Sequence, residues 1–141
     1  MQRLAKTKMA LWAGVFLAGV GVGVGGASVL FAQPAGFQRV MLLTVPVAAN
    51  AGYEATIGTV TVPPGAASPK HSHPGDEIGV MLEGESVVEI DGAAPAKFAV
   101  GQAFHIPAGK AHVARSTGTV PAKVVSIWLV EKGKPLQAIE K

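Results

Sequence analysis

Three of the four histidines in this chain fall into a pattern that suits a metal ion. His71 and His73 are separated by one residue, Glu77 follows four positions after His73, and His112 stands in an apolar stretch just after Pro107-Ala108-Gly109. Residues two apart on an extended segment share a face, so both imidazoles can enter one cavity. Glu77 opens the next apolar run and can reach the same interior. One short segment cannot close a coordination sphere, and His112 can complete it from elsewhere in the chain. Neutral imidazoles suit divalent Fe, Mn, Ni, Co, Cu or Zn, and a single carboxylate offsets part of the ion's charge. Four protein ligands on an octahedral ion leave two positions open to substrate, water or dioxygen. A buried glutamate with no cation beside it would face a heavy desolvation cost or stay protonated. Glu77 could also leave the ion and act as a base.

These residues have to be held by strands. Beyond Ala32 the chain reads as short β-type runs divided by Gly and Pro, with no helical stretch of any length, which predicts an all-β barrel or sandwich. The expected strands are Arg39–Thr44, Glu54–Val62, Glu77–Leu82, Ser86–Ile90, Ala103–Pro107, Ala111–Ser116 and Ala122–Val130. Asp91-Gly92 is a tight-turn signal, since positive φ suits Gly and is tolerated by Asp. From Gly133 onward the chain reads as a polar tail.

The first 32 residues are of a different kind. Arg3, Lys6 and Lys8 precede a charge-free run from Met9 to Phe31, rich in Ala, Gly, Val and Leu, which ends at Ala32 before Gln33-Pro34. That is the layout of a secretory signal peptide, and the run is also long enough for an uncleaved membrane anchor. Either reading places residues 33–141 outside the cytoplasmic membrane, periplasmic or secreted, with membrane contact only if the segment stays attached. The net charge of +3 comes from this segment: it holds three of the 12 Lys and Arg and none of the 9 Asp and Glu. The remaining domain is near neutral, so no basic surface points to nucleic acid. Cysteine is absent, which excludes disulfides and thiolate metal sites. No Gly-rich phosphate loop or nucleophile elbow is present.

The histidine pattern resembles the two motifs of the cupin superfamily. Gly65, five residues, His71-Ser72-His73, three residues, Glu77, six residues and Gly84 match the first; Gly101, five residues, Pro107-Ala108-Gly109, two residues and His112 match the second. Where the family usually ends the second motif with Asn, this chain has Ser116. The resemblance implies a double-stranded β-helix, or jelly-roll barrel, with one divalent transition metal ion held inside by His71, His73, Glu77 and His112, and assembly as a homodimer. The chain also looks like the small exported single-domain cupins of bacteria, a group for which the resemblance supplies no agreed substrate.

The other residues divide into lining and surface. Gly79 and Met81 share the face of Glu77 and should floor an apolar pocket with room for a small organic ligand. Phe98, Phe104, Ile106, Val113, Ile127 and Trp128 read as core or dimer-interface packing. His105 reads as a partly exposed strand residue, Asp76 as a solvated loop charge and Arg115 as surface. Two functions follow: a mononuclear metalloenzyme acting on a small oxygen-bearing substrate, with dioxygen-dependent cleavage leading over isomerase or decarboxylase chemistry, or a non-catalytic binder of a metal or small ligand.

Overall fold

The computed structural model describes residues 36–141. The expected signal or anchor segment, 1–32, and its junction with the 33–141 domain lie outside the described residues. Within them the strands are β1 (Gln38–Pro46), β2 (Tyr53–Val62), β3 (His71–Ser72), β4 (Asp76–Glu83), β5 (Glu85–Ile90), β6 (Ala96–Ala99), β7 (Ala103–Ile106), β8 (His112–Ser116), β9 (Ala122–Glu131) and β10 (Ala138–Ile139). They form two five-stranded antiparallel sheets in the orders β1-β2-β9-β4-β7 and β10-β3-β8-β5-β6. Among the described residues no helix is long and apolar enough to cross a membrane.

Period-two alternation sets the inner faces. On β4, Glu77, Gly79 and Met81 are buried while Ile78 is exposed; on β9, Ser126, Trp128 and Val130 point inward. β2 pairs with β9 along its full length, from Tyr53 opposite Glu131 to Val62 opposite Ala122. β9 pairs on its other side with β4, setting Glu77 opposite Trp128 and Gly79 opposite Ser126. In the second sheet β8 lies between β3 and β5, with His112 opposite both His71 and Ile90. Val62, Met81, Val88, Ile106 and Trp128, from both sheets, are almost fully buried, so the core lies between the sheets and the site is built into it.

All seven expected strands form, with ends shifted by one or two residues. Three short ones were not legible. β3 is only two residues long and exists because β8 and β10 flank it. β6 follows the Asp91-Gly92 turn as the returning arm of a hairpin with β5. β10 corrects the reading of the end of the chain as a polar tail: Ala138 and Ile139 pair with Ser72 and His71.

Two glycines are required by the backbone around the site. A Cβ on Gly75 would run into the Leu129 carbonyl, so only glycine lets the link between β3 and β4 lie against β9 and place Glu77 beside Trp128. Gly109 takes φ +72°, a conformation that costs glycine little, and its N–H donates to His73 O at 2.8 Å. That bond joins the turn that delivers His112 to the link after β3 that carries His73. Gly79 does not floor the cavity by itself: the Phe104 ring packs over it, in the space a side chain would fill, and lies 5.4 Å from Phe98 between centroids.

Candidate metal centre

His71, His73 and His112 are each at most 6% exposed, and one ligand atom from each lies within 4.8 Å of the others, a group that could hold a metal ion. Their outer nitrogens are all engaged by backbone carbonyls. His71 Nδ1 donates to Pro69 O at 2.8 Å, His73 Nδ1 to Leu136 O at 2.7 Å and His112 Nδ1 to Lys110 O at 3.1 Å. A carbonyl only accepts, so Nδ1 carries the proton in all three rings, which leaves each Nε2 with a lone pair to offer inward. Such bonds fix ring orientation and raise ligand basicity.

Glu77, from the opposite sheet, is not part of that three-histidine group but lies against two of its members. Its Oε2 lies 2.9 Å from His73 Nε2 and 3.6 Å from His112 Nε2, and its Oε1 accepts from the buried Ser126 hydroxyl at 2.7 Å. With Nδ1 already protonated, a lone pair on His73 Nε2 facing a carboxylate at this distance requires a shared proton or a cation. Among the described residues the donors bonded to the cluster are the Ser126 hydroxyl and the Trp128 indole, whose Nε1 donates to His73 Nε2 at 3.3 Å, and the Arg39 guanidinium lines the same cavity. The donor set therefore fits a divalent ion.

The cluster lines a cavity of about 40 Å³, room for roughly two or three water-sized groups. Met81, Phe104, Ile106 and Trp128 form much of its wall, and Arg39 contributes the one charged side chain besides Glu77 and the histidines among the described lining residues.

A cupin-domain family model matches residues 58–128, half of the chain and all of the cluster. The chain belongs to the cupin family. No curated protein matches this cupin. Among solved structures it is similar to an oxalate oxidase in complex with glycolate, at 27% identity over 75% of this chain and 56% of that one, TM-score 0.60. It is also similar to the DMSP lyase of Ruegeria pomeroyi, at 22% identity over 73% of this chain and 51% of that one, TM-score 0.59. A double-stranded β-helix protein from Klebsiella pneumoniae is 17% identical over 82% of this chain and 99% of that one, TM-score 0.61. The cupin thus spans about half the length of the lyase.

Several residues of this cupin have roles the sequence did not disclose. Trp128, read as packing, also aims its N–H at His73. Ser126 supports Glu77; its only signal was a polar residue on the inward phase of an apolar strand. Arg39 shares the inward phase of Phe37 on either side of Gln38, a pattern that could have marked it. Asp76 is the first residue of β4, where it braces the second motif: its Oδ1 accepts from His105 Nε2 at 3.0 Å and from Ala108 N at 3.1 Å. The His105 bond, then the Ala108 bond, hold its carboxyl below the usual range. His105 faces outward and is more than half exposed, as expected, and Arg115 pairs at the surface with Glu89. Ser116 is buried, and its Oγ has no hydrogen-bond partner among the described residues. It serves through its backbone, which exchanges bonds with Gly65 and Ala66.

Burial of the His71 imidazole is expected to make the metal-free protein lose stability in acid. Burial first, then the facing His112, pushes His71 down to about 4. An unfolded histidine takes up its proton near pH ~6.5, so the unfolded state gains protons before the folded one. The contribution is whole above that value and is lost as pH falls towards the folded value, about 3 kcal/mol in all. Glu77 acts in the same direction at lower pH. Burial would raise its carboxyl, but the facing His112 and His73 and the Ser126 hydroxyl hold it well below the carboxylate range. Urea unfolding of metal-free protein should therefore show a marked fall in stability between about pH 7 and about pH 4.5; a flat profile across that window would contradict the assignment.

Proposed function

We propose that this chain is an exported metalloenzyme in which His71, His73, Glu77 and His112 hold one divalent transition metal ion and a small oxygen-bearing substrate binds beside it. The observation that carries this reading is the clustering of His71, His73 and His112, each ring fixed by an Nδ1–carbonyl bond, with the Glu77 carboxylate beside two of them, His73 and His112. A bound ion would act there as a Lewis acid and, if redox-active, as an electron conduit. The chain's own contribution is to orient the four ligands, to surround them with Met81, Phe104, Ile106 and Trp128, and to limit the substrate by the cavity's size. Glu77 is kept ionised by the facing His112 and His73 and by the Ser126 hydroxyl, so its role toward protons is that of an acceptor. Dioxygen-dependent cleavage is the leading reaction, because four protein ligands leave two positions for substrate and dioxygen. The oxalate oxidase solved with glycolate and an oxalate decarboxylase of Lactobacillus farciminis solved with formate show that related barrels accept small acids.

A non-catalytic binder of a metal or small ligand is the second reading. It is favoured by the lining itself: apart from the four ligands, Arg39 is the only ionisable side chain there among the described residues, and arginine is a poor proton carrier. Metal analysis of protein from its native compartment, followed by dioxygen uptake over diketone, flavonol, thiol and small-acid panels, separates the two. Stoichiometric metal with turnover supports the enzyme; metal without uptake on any panel removes the oxygenase. Recovery of the protein with the cytoplasmic fraction would remove export. Homodimer assembly belongs to the same proposal, since β1 is a sheet edge exposing Val40, Leu42 and Leu43, the kind of edge that invites pairing. A monomer in sedimentation would remove that part.

A further inference from the structure

We propose that Arg39 is the specificity residue of the cavity and that the ligand it selects is a small carboxylate. This rests on the metal reading of the same site and adds the class of substrate. Arg39 enters from β1, opposite Val60, and lies outside both histidine motifs. Its neighbours Gln38 and Val40 are exposed while Arg39 is half-buried and lines the cavity together with the histidine cluster. The guanidinium carbon lies 5.7 Å from the centroid of the Trp128 ring, whose N–H points to His73. Indole and guanidinium thus border the same space.

What sets Arg39 apart is a positive charge lining the cavity that the Glu77 carboxylate answers only through space. Among the described residues it forms no ion pair, and its Nε is buried with no hydrogen-bond acceptor. Among the described residues Lys70, Lys97, Arg115 and Lys134 pair with carboxylates, while Lys110, Lys123, Lys132 and Lys141 have no such partner but do not line the cavity. Glu77, the one carboxylate in the cavity, is already taken by Ser126, His73 and His112. A buried donor without an acceptor is costly, and more so when charged. A divalent ion would deepen the imbalance: Glu77 offsets one of its charges, leaving the ion's second charge and the guanidinium together inside an apolar wall. A bound monocarboxylate would offset one of these two remaining positive charges, and its planar group matches the donor fork of arginine. With about 40 Å³ to fill, the anion must be small, a short-chain monocarboxylate.

The test uses acetate as probe and acetamide as its uncharged isostere, titrated into the full chain and into Arg39→Gln and Arg39→Lys. Binding is followed by the indole N–H resonance of Trp128, which is readable with or without metal, and metal content is measured in parallel. The expected result is that the parent protein prefers acetate over acetamide, that Arg39→Gln lowers acetate affinity at least about tenfold while keeping its metal, and that Arg39→Lys falls between. Equal binding of acetate by parent and Arg39→Gln overturns the proposal, as does a parent that does not distinguish acetate from acetamide. If no protein in the set holds metal, the metal reading fails; the acetate preference and its loss in Arg39→Gln are then still measured on the metal-free chain and decide the role of Arg39 separately.

Discussion

Replacing His73 by alanine is expected to strip the protein of its metal and to cost more stability than any change at its surface. Loss of the ring removes one of three converging Nε2 donors. Partners that merely orient a ligand carry roughly 10–100-fold in metal affinity, so the ligand itself should carry more. An affinity loss of about 1,000-fold would remove about 4 kcal/mol of stabilisation by bound metal when the metal had been saturating. A second penalty needs no metal. The indole N–H of Trp128 and the carbonyl of Leu136 both lose their partner, and a buried polar group left unpaired costs about 1–3 kcal/mol. Metal content by elemental analysis and thermal unfolding with and without chelator check both parts. His105→Ala is the control, since that ring faces outward to Asp76 and should leave metal content unchanged. A His73→Ala protein that retained its full metal content would remove His73 from the site.

Ending the chain at Gly133 is expected to weaken metal binding without removing any ligand. Residues 134–141 supply the carbonyl of Leu136 that holds His73 Nδ1 at 2.7 Å, and β10 pairs with β3 on the side away from β8. Glu140 adds two bonds, its Oε1 accepting from Ser72 Oγ at 2.6 Å and its N–H donating to Lys70 O at 2.9 Å. Two residues of strand cannot hold themselves in place, so β3 depends on both neighbours, and the His71 and His73 rings depend on β3. Affinity measured by chelator competition should fall about 10–100-fold, and the melting temperature of the metal-loaded protein should fall with it. Glu140→Ala should reproduce a smaller part of both effects. Unchanged affinity in the truncated protein would show that the terminal segment merely lies against the site.

These two experiments separate what was readable in the chain from what was not. His71 and His73 were legible as a pair because residues two apart on an extended segment share a face, and Glu77 and His112 joined them through the spacing that resembles the two cupin motifs. The same locality made β2, β4 and β9 visible, since each is long enough to carry several cycles of alternation. β3, at two residues, carries none, and neither does β10. Phe104 over Gly79, Ser126 under Glu77 and the Trp128 indole at His73 depend on strand order, which pairs β4 with β7 and β9.

The all-β character of the barrel and the candidate ligand residues, in their order, were readable from the chain alone, because they follow from residue chemistry and short-range periodicity. Only the folded arrangement shows which nitrogen of each ring faces inward, that the end of the chain closes over His73, and that Arg39 brings a positive charge to the cavity with its Nε unpartnered. The physical reason is distance along the chain. His71 and His112 take their Nδ1 acceptors from two residues away, but His73 takes its own from 63 residues away and Glu77 meets Ser126 across 49. Such partners are selected by packing, and no local pattern carries a trace of them.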